Sequence, residues 1–196
     1  MKKFAAVLLI FSVFAPVLTA GSDDPPWPEG VREIRYPSAA DDTNQPALVY
    51  IPNKETKNRP VLAALHTWSN TYKQNGAGQT EYADWCIEHQ WYMIHPHFRG
   101  PNWTPQAMGS ELAVKDILSA VEYMKNKYDI DEDRIYLAGV SGGGHAAMLM
   151  AGRHPEVWAG VSAWCGISDI EAWWRQRGTQ PPKKYFKFTT HIEKAC

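Results

Sequence analysis

The chain has 196 residues, 44% hydrophobic and 21% charged, the composition of one ordinary globular domain able to bury a core. Its 20 Lys and Arg against 21 Asp and Glu leave a net charge of −1. That balance excludes a basic stripe for nucleic acid and an acidic solvating tail. Nine tryptophans are many for this length. Packing accounts for most of them, and a surplus beside a cleft suits apolar, aromatic or sugar-containing substrates.

Residues 1–20 read as a secretory signal peptide. Met1-Lys2-Lys3 supplies the positive start, Phe4 to Phe14 is nearly all apolar, and Leu18-Thr19-Ala20 offers a small-residue cleavage site. The apolar run falls short of the ~20 residues a spanning helix needs, and Pro16 interrupts it. Export to a periplasm or the medium follows, with no stable membrane span once the signal is cleaved. Residues 21–32 form an irregular lead-in, rich in proline and acid between Asp23 and Gly30.

Short strands are expected at Glu33–Tyr36 and Ala47–Ile51, on either side of a polar Ser38–Gln45 loop. A charged turn, Asn53 to Arg59, leads to a buried strand at Val61–Leu65. A helix follows at Gln79–His89, with Tyr82, Trp85 and Cys86 spaced for one face. The next strand is Trp91–Ile94. Leu112–Tyr128 is the clearest helix: Val114, Ile117, Leu118, Val121 and Met124 keep the i, i+3, i+4, i+7 spacing. Ser110 suits its N-cap. After a strand at Ile135–Ala138 comes a small-residue helix stopped near His154-Pro155, then a last strand at Val157–Trp164. The core occupies residues 33–174. Residues 175–196 form a poorly patterned tail. Strands alternating with amphipathic helices mean an α/β fold with a mainly parallel sheet, its first two strands antiparallel.

Cys86, Cys165 and Cys196 do not form a disulfide framework. Cys86 and Cys165 read as buried small side chains. Histidine spacing does not suit zinc, and no motif suggests a metal or an organic cofactor, so none is expected.

Gly139-Val140-Ser141-Gly142-Gly143 carries the chemistry. It follows an apolar strand and opens a helix, which is the setting of the G-x-S-x-G turn that lifts a serine hydroxyl above a sheet edge. Small residues two positions either side leave room for the cramped bend. Such a serine attacks a carbonyl carbon and forms an acyl-enzyme. The oxyanion needs fixed donors. The Gly142 N–H is one; the second comes from the His66–Trp68 segment, at Trp68 or alternatively Thr67.

Asp131 to His145 resembles the elbow region of α/β-hydrolases, closest to the prolyl-oligopeptidase-like and secreted esterase branch. His66-Thr67-Trp68 sits where that fold carries its H-G-type oxyanion segment, with Thr67-Trp68 in place of glycines. Phe98-Arg99-Gly100 resembles the R-G loop after the fourth strand. His154-Pro155-Glu156 matches the helix-to-sixth-strand passage. The resemblance implies a three-layer α/β-hydrolase sandwich, incomplete at its C-terminal edge. It also implies a secreted serine hydrolase acting on small or polymeric esters, or on peptides.

In that fold the triad runs serine, acid, histidine. Ser141, Asp169 and His191 keep the order within this chain. The alternative is an acid and a histidine beyond Cys196 in a longer parent. A last strand without a neighbour would be an aggregation-prone edge, which also points to truncation. His145, one turn after the serine, has a packing or substrate-edge role rather than that of base. His66 orients the oxyanion loop or is a structural hydrogen-bonding residue. His95 and His97 line the cleft, and His89 and His154 suit helix ends. The rival readings are a non-catalytic binding module that kept the fold, and a thioesterase or acyltransferase on the same scaffold.

Overall fold

The computed structural model describes residues 25–53 and 57–176. The expected signal segment, His191 and Cys196 lie outside these residues. Among the described residues six strands form one sheet: β1 (Val31–Pro37), β2 (Asn44–Tyr50), β3 (Arg59–Leu65), β4 (Tyr92–Pro96), β5 (Ile130–Val140) and β6 (Gly160–Trp164). Their spatial order is β1-β2-β4-β3-β5-β6. The β1–β2 and β2–β4 pairs are antiparallel, and the β4, β3, β5, β6 block is parallel.

Side-chain alternation along the strands makes two cores. Val61, Ala63 and Leu65 of β3 face one side with Ile94, Ile135 and Leu137. There α2 (Glu111–Lys127) and α3 (Gly142–Arg153) cover them with Ile117, Val121, Met124, Ala147 and Met150. Leu62, Met93 and Ala138 face the other side, under Ala83 and Cys86 of α1 (Gln79–His89). The result is a three-layer α/β sandwich. The five residues named on α2 and α3 are each at most 2% exposed, and burial of each large one contributes roughly 1.5–3 kcal/mol.

Ser110 caps α2, its hydroxyl accepting from the Ala113 N–H at 3.2 Å. The last strand is shorter than the Val157–Trp164 expected, because Pro155–Val157 forms a single 3-10 turn and Trp158 is buried. A seven-residue helix, α4 (Ile170–Gln176), continues past the expected start of the tail.

Two packing expectations are corrected. Cys165 is exposed, not buried, because it follows β6 at the border of the sheet, where Trp164 is 62% exposed. Trp85 does not share the buried face of Cys86. It stacks on His89 at 4.1 Å and meets Trp91 edge-on at 4.5 Å, half in solvent. No described helix is long and apolar enough to cross a membrane.

Candidate active site

The end of β5 delivers Ser141 into a bend with φ 56° and ψ −113°. Its N–H donates to Trp164 O at 2.8 Å, and its C=O accepts the His145 N–H at 2.9 Å. The serine is therefore tied to the end of β6 on one side and to α3 on the other. Close approach makes the flanking glycines obligatory. A Cβ on Gly139 would stand 2.3 Å from the Gly143 carbonyl, and one on Gly142 would stand 2.5 Å from Trp68 N and Cα. The second contact brings the segment after β3 against the start of α3. The N–H of Gly142 belongs to the first turn of that helix, where amides have no partner within the helix and the dipole favours negative charge.

Three successive peptides after β3 are pinned from different directions. The Thr67 N–H donates to Gln74 Oε1 at 2.9 Å. Thr67 O receives the Asn70 N–H at 3.4 Å and lies 2.9 Å from His66 Nδ1. Trp68 O accepts the Asn102 N–H at 2.8 Å. In the trans peptide between Thr67 and Trp68, the carbonyl and the amide point opposite ways. Holding Thr67 O thus aims the Trp68 N–H. Because Gln74 occupies the Thr67 N–H, that amide is committed to the loop itself.

His66 is fully buried and stacks on Phe98 at 4.0 Å. Burial pushes its pKa down to about 4, so the ring is neutral near pH 7. A neutral imidazole has one N–H. The shorter contact, Nε2 to His97 O at 2.7 Å, fits that donor. His95 is buried completely and does not line an open cleft, contrary to expectation. It lies between Tyr72 O and Gln79 Oε1, and burial holds its pKa down at about 3. His97 is half-buried and meets the Tyr72 ring edge-on at 5.5 Å.

His145 Nδ1–H donates to Ile167 O at 2.7 Å, and burial lowers the ring's pKa. Its ring lies 6.0 Å from that of Trp68, which lies 6.0 Å from Trp173 on α4. Asp169 is exposed, and its Oδ1 accepts the Ala172 N–H at 2.8 Å, capping α4. His191 lies outside the described residues.

Sequence reasoning missed Gln74 and Asn102, which lie in loops without periodicity. It also missed the partners of Arg99. The guanidinium bonds Asp116 through Nε at 2.6 Å and Asp41 through both terminal nitrogens at 2.9 Å. Ser38 Oγ donates to the same buried Asp116. Arg99 thereby joins the segment after β4 to the β1–β2 loop and to α2.

A profile of the prolyl oligopeptidase family matches residues 97–190. Feruloyl esterase B of Thermothelomyces thermophilus is 26% identical over 135 residues, covering 64% of this chain and 45% of that protein. Acetylxylan esterase A of Emericella nidulans is 24% identical over 132 residues, covering 64% and 43%. The solved acetyl xylan esterase from Paenibacillus sp. R4 superposes with a TM-score of 0.64 at 16% identity, over 85% of this chain and 58% of that one. The chain spans under half the length of the two curated relatives.

Proposed function

We propose that this chain, which has the fold of the solved esterases it superposes on, is the nucleophile-bearing part of a secreted serine hydrolase of the α/β-hydrolase superfamily that cleaves an ester bond. The observation that carries the reading is Ser141 held at φ 56° between β5 and α3, with Gly142 packed against Trp68. In the proposed reaction Ser141 Oγ forms a bond to the substrate's carbonyl carbon while its proton passes to a histidine base. The carbonyl π pair moves onto oxygen, and the N–H groups of Gly142 and Trp68 hold the resulting oxyanion. Collapse expels the alcohol, which takes up the base's proton, and leaves an acyl-serine. Water then repeats the sequence and releases the acid.

Asp169 and His191 are the acid and base candidates within the chain. The capping role of Asp169 in α4 counts against it. The names of the curated relatives support an ester substrate, while the family profile supports a peptide as the second reading.

A fluorophosphonate probe tests the reading, because it reports an activated serine directly. The full-length wild-type protein is expected to label and its Ser141→Ala variant is not. Labelling that survives Ser141→Ala, or none in the wild type, overturns the proposal. Hydrolysis of a p-nitrophenyl ester against a peptide anilide then separates the two substrate classes.

A further inference from the structure

We infer that Gln74 is a positioning residue for the oxyanion pocket, doing through one side-chain oxygen what a glycine turn would do through backbone freedom. The inference rests on the Ser141 reading. Thr67 and Trp68 are bulky, so the loop after β3 cannot settle its peptide planes by adopting glycine-only angles. Instead, Gln74 Oε1 accepts two bonds from one residue: the Thr67 N–H at 2.9 Å and the Thr67 hydroxyl at 3.0 Å. The same hydroxyl accepts Asn70 Nδ2–H at 3.3 Å. Gln74 is itself fixed by its own N–H, which donates to Thr71 O at 3.0 Å.

The segment from Thr67 to Gln74 is thus a closed ring of polar contacts, with Gln74 Oε1 as its double acceptor. The ring sets the plane of the peptide before Thr67, and the Asn70 N–H, which donates to Thr67 O, sets the plane after it. Together they direct the Trp68 amide. Trp68 abuts the Gly142 position, so a rotation of this loop moves one proposed oxyanion donor relative to the other. Gln74 does not touch the reacting atoms on this account. Only the acceptor oxygen matters, which makes glutamate an adequate replacement and an isosteric apolar side chain an inadequate one.

The full chain carrying Gln74→Met or Gln74→Glu tests this with two readouts. The first is saturation kinetics of fluorophosphonate labelling. Gln74→Met should lower the maximal labelling rate by about 10- to 100-fold, the scale of a displaced catalytic donor, with the half-saturating probe concentration unchanged. Gln74→Glu should stay within about threefold of wild type, since it keeps the acceptor. The second readout is hydrogen exchange of the amides from Thr67 to Asn70, which should speed up in Gln74→Met and not in Gln74→Glu. Wild-type labelling and exchange in Gln74→Met overturns the inference, and so does a Gln74→Glu variant as impaired as Gln74→Met. If the wild type itself does not label, the Ser141 reading falls, and with it the pocket. Exchange then still shows whether Gln74 holds the loop.

Discussion

At Ser141 the chain holds a left-handed backbone angle that costs a non-glycine residue on the order of 1–3 kcal/mol. Two backbone hydrogen bonds and the packing of Gly139 and Gly142 oppose that cost. The arrangement presents a side chain that a relaxed strand or helix would turn aside. Gly142→Ala tests how much depends on the close approach. Its methyl would stand 2.5 Å from Trp68 N, against backbone that cannot swing away. The expected result is a fall in labelling on the order of 100-fold, the worth of one oxyanion donor. Retained far-ultraviolet circular dichroism would show that the fold survives. Unchanged labelling would mean that Trp68 is not part of the pocket.

Between elements, Arg99 does the work of a clamp. Asp116 is completely buried on α2, and its charge is compensated by a guanidinium whose side chain is only 15% exposed. A carboxylate left alone there is costly. Arg99→Ala should therefore lower stability to urea by about 3–5 kcal/mol. Arg99→Lys should recover part of this, since an ammonium cannot match the fork geometry. Asp41→Ala should cost much less, because that partner faces solvent. Equal losses for Asp41→Ala and Arg99→Ala would refute the assignment of the clamp to Asp116. The Arg99-Gly100 pair was visible as a motif. Its partners were not, because Asp41 lies 58 positions and Asp116 17 positions away, and no local pattern couples them. The helices that were legible, Gln79–His89 and the one carrying the Val114-to-Met124 stripe, are those whose burial follows a local period. Trp85 was misread because its aromatic partners come from the end of its own helix and from the segment after it. The elbow was legible because its glycines answer to contacts a few residues away, Gly139 to Gly143 above all. Gln74 was not, since a double acceptor in a loop has no sequence signal.

For the molecule as a whole, buried histidines set the response to acid. In the unfolded chain His66 and His95 titrate near 6.5, about the ordinary value. In the fold, burial holds them down at about 4 and about 3. Below pH 6.5 the unfolded chain takes up protons that the folded chain refuses. Stability contributed by their neutral forms is therefore present above pH 6.5 and is lost as pH falls toward 4 and then 3. The slope approaches about 1.4 kcal/mol per pH unit for each histidine. Melting followed by tryptophan fluorescence should show this decline, and His95→Asn should make it shallower. A wild-type profile flat between pH 6.5 and 4 would contradict it.

The bond from the Ser141 amide to Trp164 O gives the proposed nucleophile an unexpected dependence. Its anchor is the outermost rung of the ladder, where fraying begins. On the proposed reading, whatever stiffens that rim, whether an added neighbour or a compacting osmolyte, should sharpen the aim of the Ser141 hydroxyl without touching it.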